Sequence, residues 1–163
     1  SCSLVGSEMC IRDRYEIIPV AMKNCVVKLD AKKAAAKTAR WQGIAESAAK
    51  QSKRSLIPKV SEPVSYKEAV AYAMKLDQKL VPYENERGMA ATREAVEAVR
   101  PGESIGIFIG PEGGFAPEEI EAVKGEMKLI SLGSRILRTE TAGFTTLAIL
   151  MYHIETSCPE KSN

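Results

Sequence analysis

Apolar residues along this chain gather into short runs separated by longer stretches with a helical period, and the intervals predict alternating strands and helices. The segment SIGIFIG (104–110) places isoleucine at every second position with small or aromatic residues between. That pattern predicts a strand buried on both faces, as in a parallel sheet. YEIIPV (15–20) reads as a short strand ended by Pro19, and SLIPKV (55–60), KLVPYE (79–84) and KLISLG (128–133) as further strands. Between them lie helical patterns. An alanine-rich stretch spans 30–51 with Asp30 as its N-cap, and an S-x-x-E capping box at Ser65 and Glu68 opens a helix to about residue 75. Further helices are predicted over 86–99, stopped by Pro101-Gly102, over 117–124, and over 139–156. Strands alternating with helices define an α/β fold with a mainly parallel sheet.

Composition narrows the class. With 163 residues, 45% apolar and 27% charged, the chain reads as globular, with room for one domain and a sizeable core. A net charge of +2 does not by itself imply a nucleic-acid partner; the distribution of charge matters more. Cys2, Cys10, Cys25 and Cys158 form no C-x-x-C pair and have no clustered histidines, so no metal site is expected, and free thiols fit a reducing cytoplasm. No apolar run is long enough to span a bilayer, so no membrane partner is expected. The single histidine, His153, sits in an apolar helical pattern and reads as structural. Residues 1–14, SCSLVGSEMCIRDR, do not join the pattern that follows and lack the layout of a secretory signal. They resemble translated adapter read-through, which predicts a non-native leader, a domain over 15–156 and a disordered tail over 157–163.

The turn after SIGIFIG is the first candidate for chemistry. GPEGG (110–114) breaks an apolar run, and a helix restarts at Pro117. Gly113 and Gly114 allow a positive φ and close approach by a ligand or another backbone. Pro117 suits the first helical position, and Glu118, Glu119 and Glu121 follow where the helix dipole favours negative charge. Three carboxylates there argue against a phosphate and for a neutral or cationic ligand group. The turn lacks the Gly-Lys-Ser/Thr ending of a P-loop and the spacing of a dinucleotide fingerprint. A purely structural turn between strand and helix fits equally well.

Three turns follow predicted strands: PYENERG after Val81, GPEGG after Ile109 and LGSRILRTETAG after Ile130. In an open α/β sheet, ligands bind beyond the carboxyl ends of the strands, so these turns are expected to converge on one site. Within the last, RILRTETA (135–142) puts Arg135 and Arg138 around an Ile-Leu pair just before an apolar helix. Thr139 or Thr141 would cap that helix and Glu140 would answer its dipole. The two arginines near a positive helix end instead point to an anionic partner.

These motifs, GPEGGF followed by LGSRILRTETA and preceded by RWQGIAESAAKQSKRSLIPKV, resemble those of the RsmE family of ribosomal RNA methyltransferases in the SPOUT superfamily. The likeness covers about 15–154. It implies a parallel sheet with helices on both faces, a C-terminal trefoil knot, S-adenosylmethionine as cofactor and N3 of a uridine in 16S rRNA as target. It further implies a homodimer acting on the small ribosomal subunit. Family members carry an N-terminal PUA-like RNA-binding domain and a lysine-containing segment before the strand matching YEIIPV, so a truncated gene fragment is expected. By the resemblance, Gly110, Glu112, Gly113, Leu132, Gly133, Ile136 and Leu137 hold the cofactor. Glycine backbone in close approach and acidic neighbours tolerant of a sulfonium agree with that. Arg138 becomes the candidate for binding the uracil anion or a target phosphate, Glu140 for base or orienter, and Thr139 and Thr141 for supplying hydroxyls.

The helix over 31–51 and its exit add Lys32, Lys33, Lys37, Arg40, Lys50, Lys53 and Arg54 against one acid, Glu46. That imbalance points to an RNA backbone contact through Lys33, Lys37, Arg40 and Arg54. Trp41 reads as core or interface. Other RNA targets, a non-catalytic RNA-binding module and a flavodoxin-like phosphate binder remain competing readings, the last disfavoured by the acidic helix start after Gly114.

Overall fold

A computed structural model describes residues 15–25, 31–51 and 56–157; the predicted leader, the expected cap Asp30, Lys53, Arg54 and most of the predicted tail lie outside them. Near the start of the described chain, β1 (Glu16–Ile17) pairs in parallel with β3 (Lys59–Val60), and β2 (Val20–Ala21) with β4 (Val64–Ser65). Ile17 faces Val60 and Val20 faces Val64, so one side carries an extra residue between the pairs. Prolines on both strands explain the break, because neither Pro19 nor Pro63 has an N–H to give the ladder. The strand expected to end at Pro19 therefore resumes beyond it, and the Pro19 carbonyl accepts from Val64 N at 2.9 Å.

Helix α1 (Ala31–Gln51) packs on β3, burying Ala45, Ala48 and Ala49. The Gln42 side-chain amide ties it down, with Nε2 donating to the Pro58 carbonyl at 3.2 Å and Oε1 accepting from Val60 N at 2.8 Å. Helix α2 (Tyr66–Ala73) opens on the predicted capping box. Ser65 Oγ accepts from Glu68 N at 3.3 Å while Glu68 accepts from Ser65 N at 2.8 Å.

The main sheet joins β5 (Gln78–Pro82), β6 (Ile105–Ile107) and β7 (Lys128–Ile130), all parallel, in the order β6-β5-β7. Side chains alternate across it with a period of two. Leu80, Ile105, Ile107 and Ile130 face one side, where they pack with Ala95 and Val99 from α3 (Ala90–Glu97) and its C-terminal end and Leu150 from α5 (Thr139–Ser157). Val81, Phe108 and Leu129 face the other, against Ala73 of α2 and Ile120 of α4 (Pro117–Glu121), with Val123 and Met127 beyond it. Helices thus cover both faces of an α/β sheet. The chain leaves β5 in one direction and β6 in the other, so right-handed crossovers put α3 and α4 on opposite faces.

The strand buried on both faces is β5, with Leu80 at 0% and Val81 at 1% exposure, rather than β6, which lies at the edge of this sheet and is half-buried. Both sequences are apolar; strand order decides which one is central. Helix α3 starts at Ala90, not at residue 86, because Gly88 takes φ 88° and residues 83–89 form a loop. Helix α5 runs through Ser157, one residue past the predicted end. His153 Nε2 lies 3.2 Å from the Val99 carbonyl, a structural contact that joins α5 to the end of α3. No helix among the described residues is long and apolar enough to cross a membrane.

Candidate functional site

The three turns predicted to converge do so. An open cleft lies beyond the carboxyl ends of β5, β6 and β7, lined by residues 82–84 and 86, by 109–111, 114 and 115, and by 131–137 with 139 and 142. The crossovers from β5 and β6 leave on opposite faces of the sheet, and a crevice opens at such a switch point.

Each wall has a local cause. The turn after β6 closes with Gly114 N donating to the Pro111 carbonyl at 2.8 Å, and Gly114 takes φ 72°, a conformation glycine adopts without steric cost. Gly110 is required for a different reason: a Cβ there would stand 2.9 Å from the Phe115 ring. Phe115 packs edge-on to Tyr83, ring centres 6.5 Å apart, which links this wall to the loop after β5. The wall after β7 is anchored by Thr92 of α3, whose hydroxyl donates to the Ser131 carbonyl at 2.8 Å and accepts from Ser131 N at 2.9 Å. Gly133 follows with φ 110°, its N–H donating to Ser131 Oγ at 3.3 Å.

Of the residues expected to hold a cofactor, Gly110, Leu132, Gly133, Ile136 and Leu137 line the cleft, whereas Glu112 and Gly113 are not among the lining residues. Gly113 faces Asn24, whose Cβ would lie 3.1 Å from an added Cβ. Thr139 lines the cleft with Arg135, while Arg138 and Glu140 are exposed next to it in sequence and are not part of its lining. The Arg138 carbonyl takes the first intrahelical bond of α5, accepting from Ala142 N at 2.8 Å. On α1, Lys33 and Arg40 are exposed and Lys37 is half-buried, as is Trp41; Arg54 lies outside the described residues.

The carboxylates after the glycine turn are committed to structure. Glu118 pairs with Lys23, and Glu121 with Lys124 at 3.2 Å. Glu119 is buried, with one oxygen accepting from Ala116 N at 2.8 Å and the other from Lys23 N at 2.9 Å. Its backbone carbonyl accepts from the Tyr66 hydroxyl at 2.6 Å, and burial, helped by the Glu119 charge, pushes that phenol up to about 12. The acids that border the cleft are Glu84 and Glu86, from the loop after β5. The sequence pattern marks the loops after β5 and β6 by their position after a strand, without singling out Tyr83, Glu84 and Glu86 in the first or Phe115 in the second. No group of metal-ligating side chains occurs among the described residues.

A cleft at the switch point of a parallel sheet, walled by glycine turns, defines an α/β protein with a concave site at its strand ends. Residues 12–151 match the RNA methyltransferase domain family, and the chain belongs to it. Ribosomal RNA small subunit methyltransferase E of Bacillus subtilis is 37% identical over 145 residues, which cover 86% of this chain and 57% of that protein. Its counterpart from Mesomycoplasma hyopneumoniae is 39% identical over 135 residues, covering 81% and 56%. Among solved structures, Ribosomal RNA small subunit methyltransferase E of Neisseria gonorrhoeae bound to S-adenosyl methionine superposes with a TM-score of 0.73 at 31% identity, covering 90% of this chain and 58% of that one. A Legionella pneumophila methyltransferase in complex with the bound cofactor SAM gives 0.76 at 34% identity, covering 90% and 62%. The chain spans a little over half the length of these two curated relatives.

Proposed function

We propose that this chain is the methyl-transferring part of an S-adenosylmethionine-dependent enzyme that modifies N3 of a uridine in 16S ribosomal RNA. The observation that carries the reading is the cleft formed by the three strand-end turns, in a chain whose fold matches methyltransferases solved with that cofactor. The lining fits such a ligand. Gly110 and Gly133 present backbone where a side chain would intrude or be strained, and Leu132, Ile136, Leu137 and Phe115 offer apolar surface for an adenine ring. Glu84 and Glu86 supply negative charge at the rim, suited to a sulfonium.

When bound, S-adenosylmethionine supplies an electrophilic methyl group. The chain's own residues must position the uracil ring, accept or direct the N3 proton and stabilise the anion that develops. We assign anion or phosphate binding to Arg138 and orientation of the base to Glu140, with Thr139 offering a hydroxyl at the cleft. Lys33, Lys37 and Arg40 of α1, with Arg54, contact the RNA backbone. The wider assignment is a cytoplasmic homodimer with a trefoil knot over 105–141, acting on the small subunit.

Incubation of the chain with labelled S-adenosylmethionine and small subunits lacking the modification, followed by mass-spectrometric mapping, tests the reading. A methyl group on N3 of one 16S uridine is expected. Cofactor binding without transfer to any RNA would leave only a cofactor-binding domain.

A further inference from the structure

Outside the cleft, the short turn after β2 meets the glycine turn from behind. The Asn24 side-chain amide donates to the Gly113 carbonyl at 3.3 Å and to the Gly114 carbonyl at 3.1 Å. The preceding residue is anchored beside it: Lys23 N donates to the buried Glu119 carboxylate at 2.9 Å, and that carboxylate also receives Ala116 N at the end of the same loop. The turn is shaped for this contact, since Cys25 N donates back to the Met22 carbonyl at 3.2 Å. The space between the two turns is filled. A Cβ on Gly113 would lie 3.1 Å from Asn24 Cβ and 3.3 Å from its carbonyl oxygen.

We infer that Asn24 is a positioning residue for the cofactor loop: its amide fixes the orientation of two consecutive loop peptides from the side opposite the ligand. This rests on the reading of the cleft as the cofactor site. A glycine pair has more backbone freedom than any other two residues, so the conformation of this loop needs an external constraint. Peptides are planar and trans, so each fixed carbonyl also fixes the next N–H, pointing the opposite way. Holding the Gly113 and Gly114 carbonyls toward Asn24 turns the Gly114 and Phe115 N–H groups away from it. The first of these closes the turn onto Pro111, and Phe115 lines the cleft. Asn24 itself is exposed and lies outside that lining, so its effect on the ligand passes through the loop.

Calorimetric titration of the full chain with S-adenosylmethionine tests this, comparing wild type, Asn24→Ala and Asn24→Asp, with ligand-free melting temperatures measured alongside. Removing two exposed hydrogen bonds that order the loop should raise Kd about tenfold in Asn24→Ala. Asn24→Asp should be at least as weak, because a carboxylate of the same shape faces two carbonyl oxygens with no proton to offer. Both variants should melt within about 3 °C of wild type, as exposed substitutions outside a packed core do. Wild-type affinity in both variants would overturn the inference. So would a loss of affinity that only tracks a large fall in melting temperature. If the wild-type chain itself binds no cofactor, the reading of the cleft falls and this inference with it, a result distinct from binding that the variants leave intact.

Discussion

Thr92 and Ser131 exchange a pair of hydrogen bonds inside the protein, hydroxyl to carbonyl at 2.8 Å and amide to hydroxyl at 2.9 Å. Both residues are buried. One side chain on α3 thereby satisfies both backbone groups of the first residue past β7, where the chain leaves the sheet and begins to wall the cleft. Thr92→Val keeps the shape and removes both bonds, leaving a buried N–H and C=O unpaired. The expected cost is about 1–3 kcal/mol of stability, read as a lower denaturant midpoint. Weaker cofactor binding should accompany it, because Leu132 and Gly133 lose their anchor.

Gly110→Ala should separate binding from folding. The added Cβ would stand 2.9 Å from two atoms of the Phe115 ring, closer than real Cβ contacts come. Phe115 also packs against Tyr83 and lines the cleft, so the ring must move at the ligand's expense. A folded protein with cofactor affinity at least about tenfold lower is expected, each tenfold being about 1.4 kcal/mol. Gly88→Ala, where φ is 88° but no atom lies within 4 Å of the new Cβ, should strain the backbone without that loss of affinity.

The convergence of three turns was legible because each follows an apolar run, and strand ends in parallel sheets share one side. The capping box at Ser65 and Glu68 was legible for a related reason, since it is written within four consecutive residues. What the pattern does not carry is pairing between distant positions. Nothing local in MKNC marks Asn24 as a partner of Gly113, or Lys23 as the donor that helps occupy Glu119. The acidic run after the glycine turn therefore suggested a field aimed at a ligand, while its charges are answered within the fold. Likewise the pattern marks β6 as the strand buried on both faces and β5 only as a strand, whereas the order β6-β5-β7 makes β5 central.

Strong acid should loosen the junction between α2 and β6. The Ser104 hydroxyl and backbone N–H, at 2.6 and 2.8 Å, hold the Asp77 carboxyl below the usual carboxylate range. A carboxyl whose pKa is lower folded than unfolded contributes stability above its unfolded pKa and loses it as pH falls through the folded one. The loss therefore begins near pH ~4 and deepens below it. Asp77→Asn should be less stable than wild type at neutral pH and show a shallower decline on acidification, measured as the unfolding midpoint against pH.

Arg138 and Arg135 bracket the Ile136-Leu137 pair, yet only Arg135 lines the cleft. An arginine exposed beside the cleft is free to meet RNA. If Arg138 acts on the developing anion, Arg138→Ala should leave cofactor Kd unchanged and lower turnover by about 10²-fold. Arg135→Ala, by contrast, should change cofactor affinity. Equal turnover in wild type and Arg138→Ala would remove Arg138 from the reaction.

The basic residues of α1 make the most general prediction, because their spacing and their exposure agree. Lys33, Lys37 and Arg40 recur at intervals of four and three, which sets them along one face of the helix. The buried Ala45 and Ala49 lie round the helix from them, while Ala48 falls nearly in line with Lys37, so the basic face borders the buried one. Lys37 is half-buried, and a long cation on a helix surface can cover its stem while its head stays in water. If these side chains contact phosphates as proposed, their contribution should be independent of RNA sequence and weaken with salt. Removing one cation that neutralises a phosphate should reduce the slope of log K against log salt by roughly 0.7 for single-stranded RNA. Lys37→Glu with Arg40→Glu should therefore flatten the slope by more than one, weakening target and non-target RNA alike. The cleft should keep its cofactor affinity, since neither residue lines it. A salt slope unchanged by the double reversal would mark this face as merely solvated and move the RNA track elsewhere on the protein.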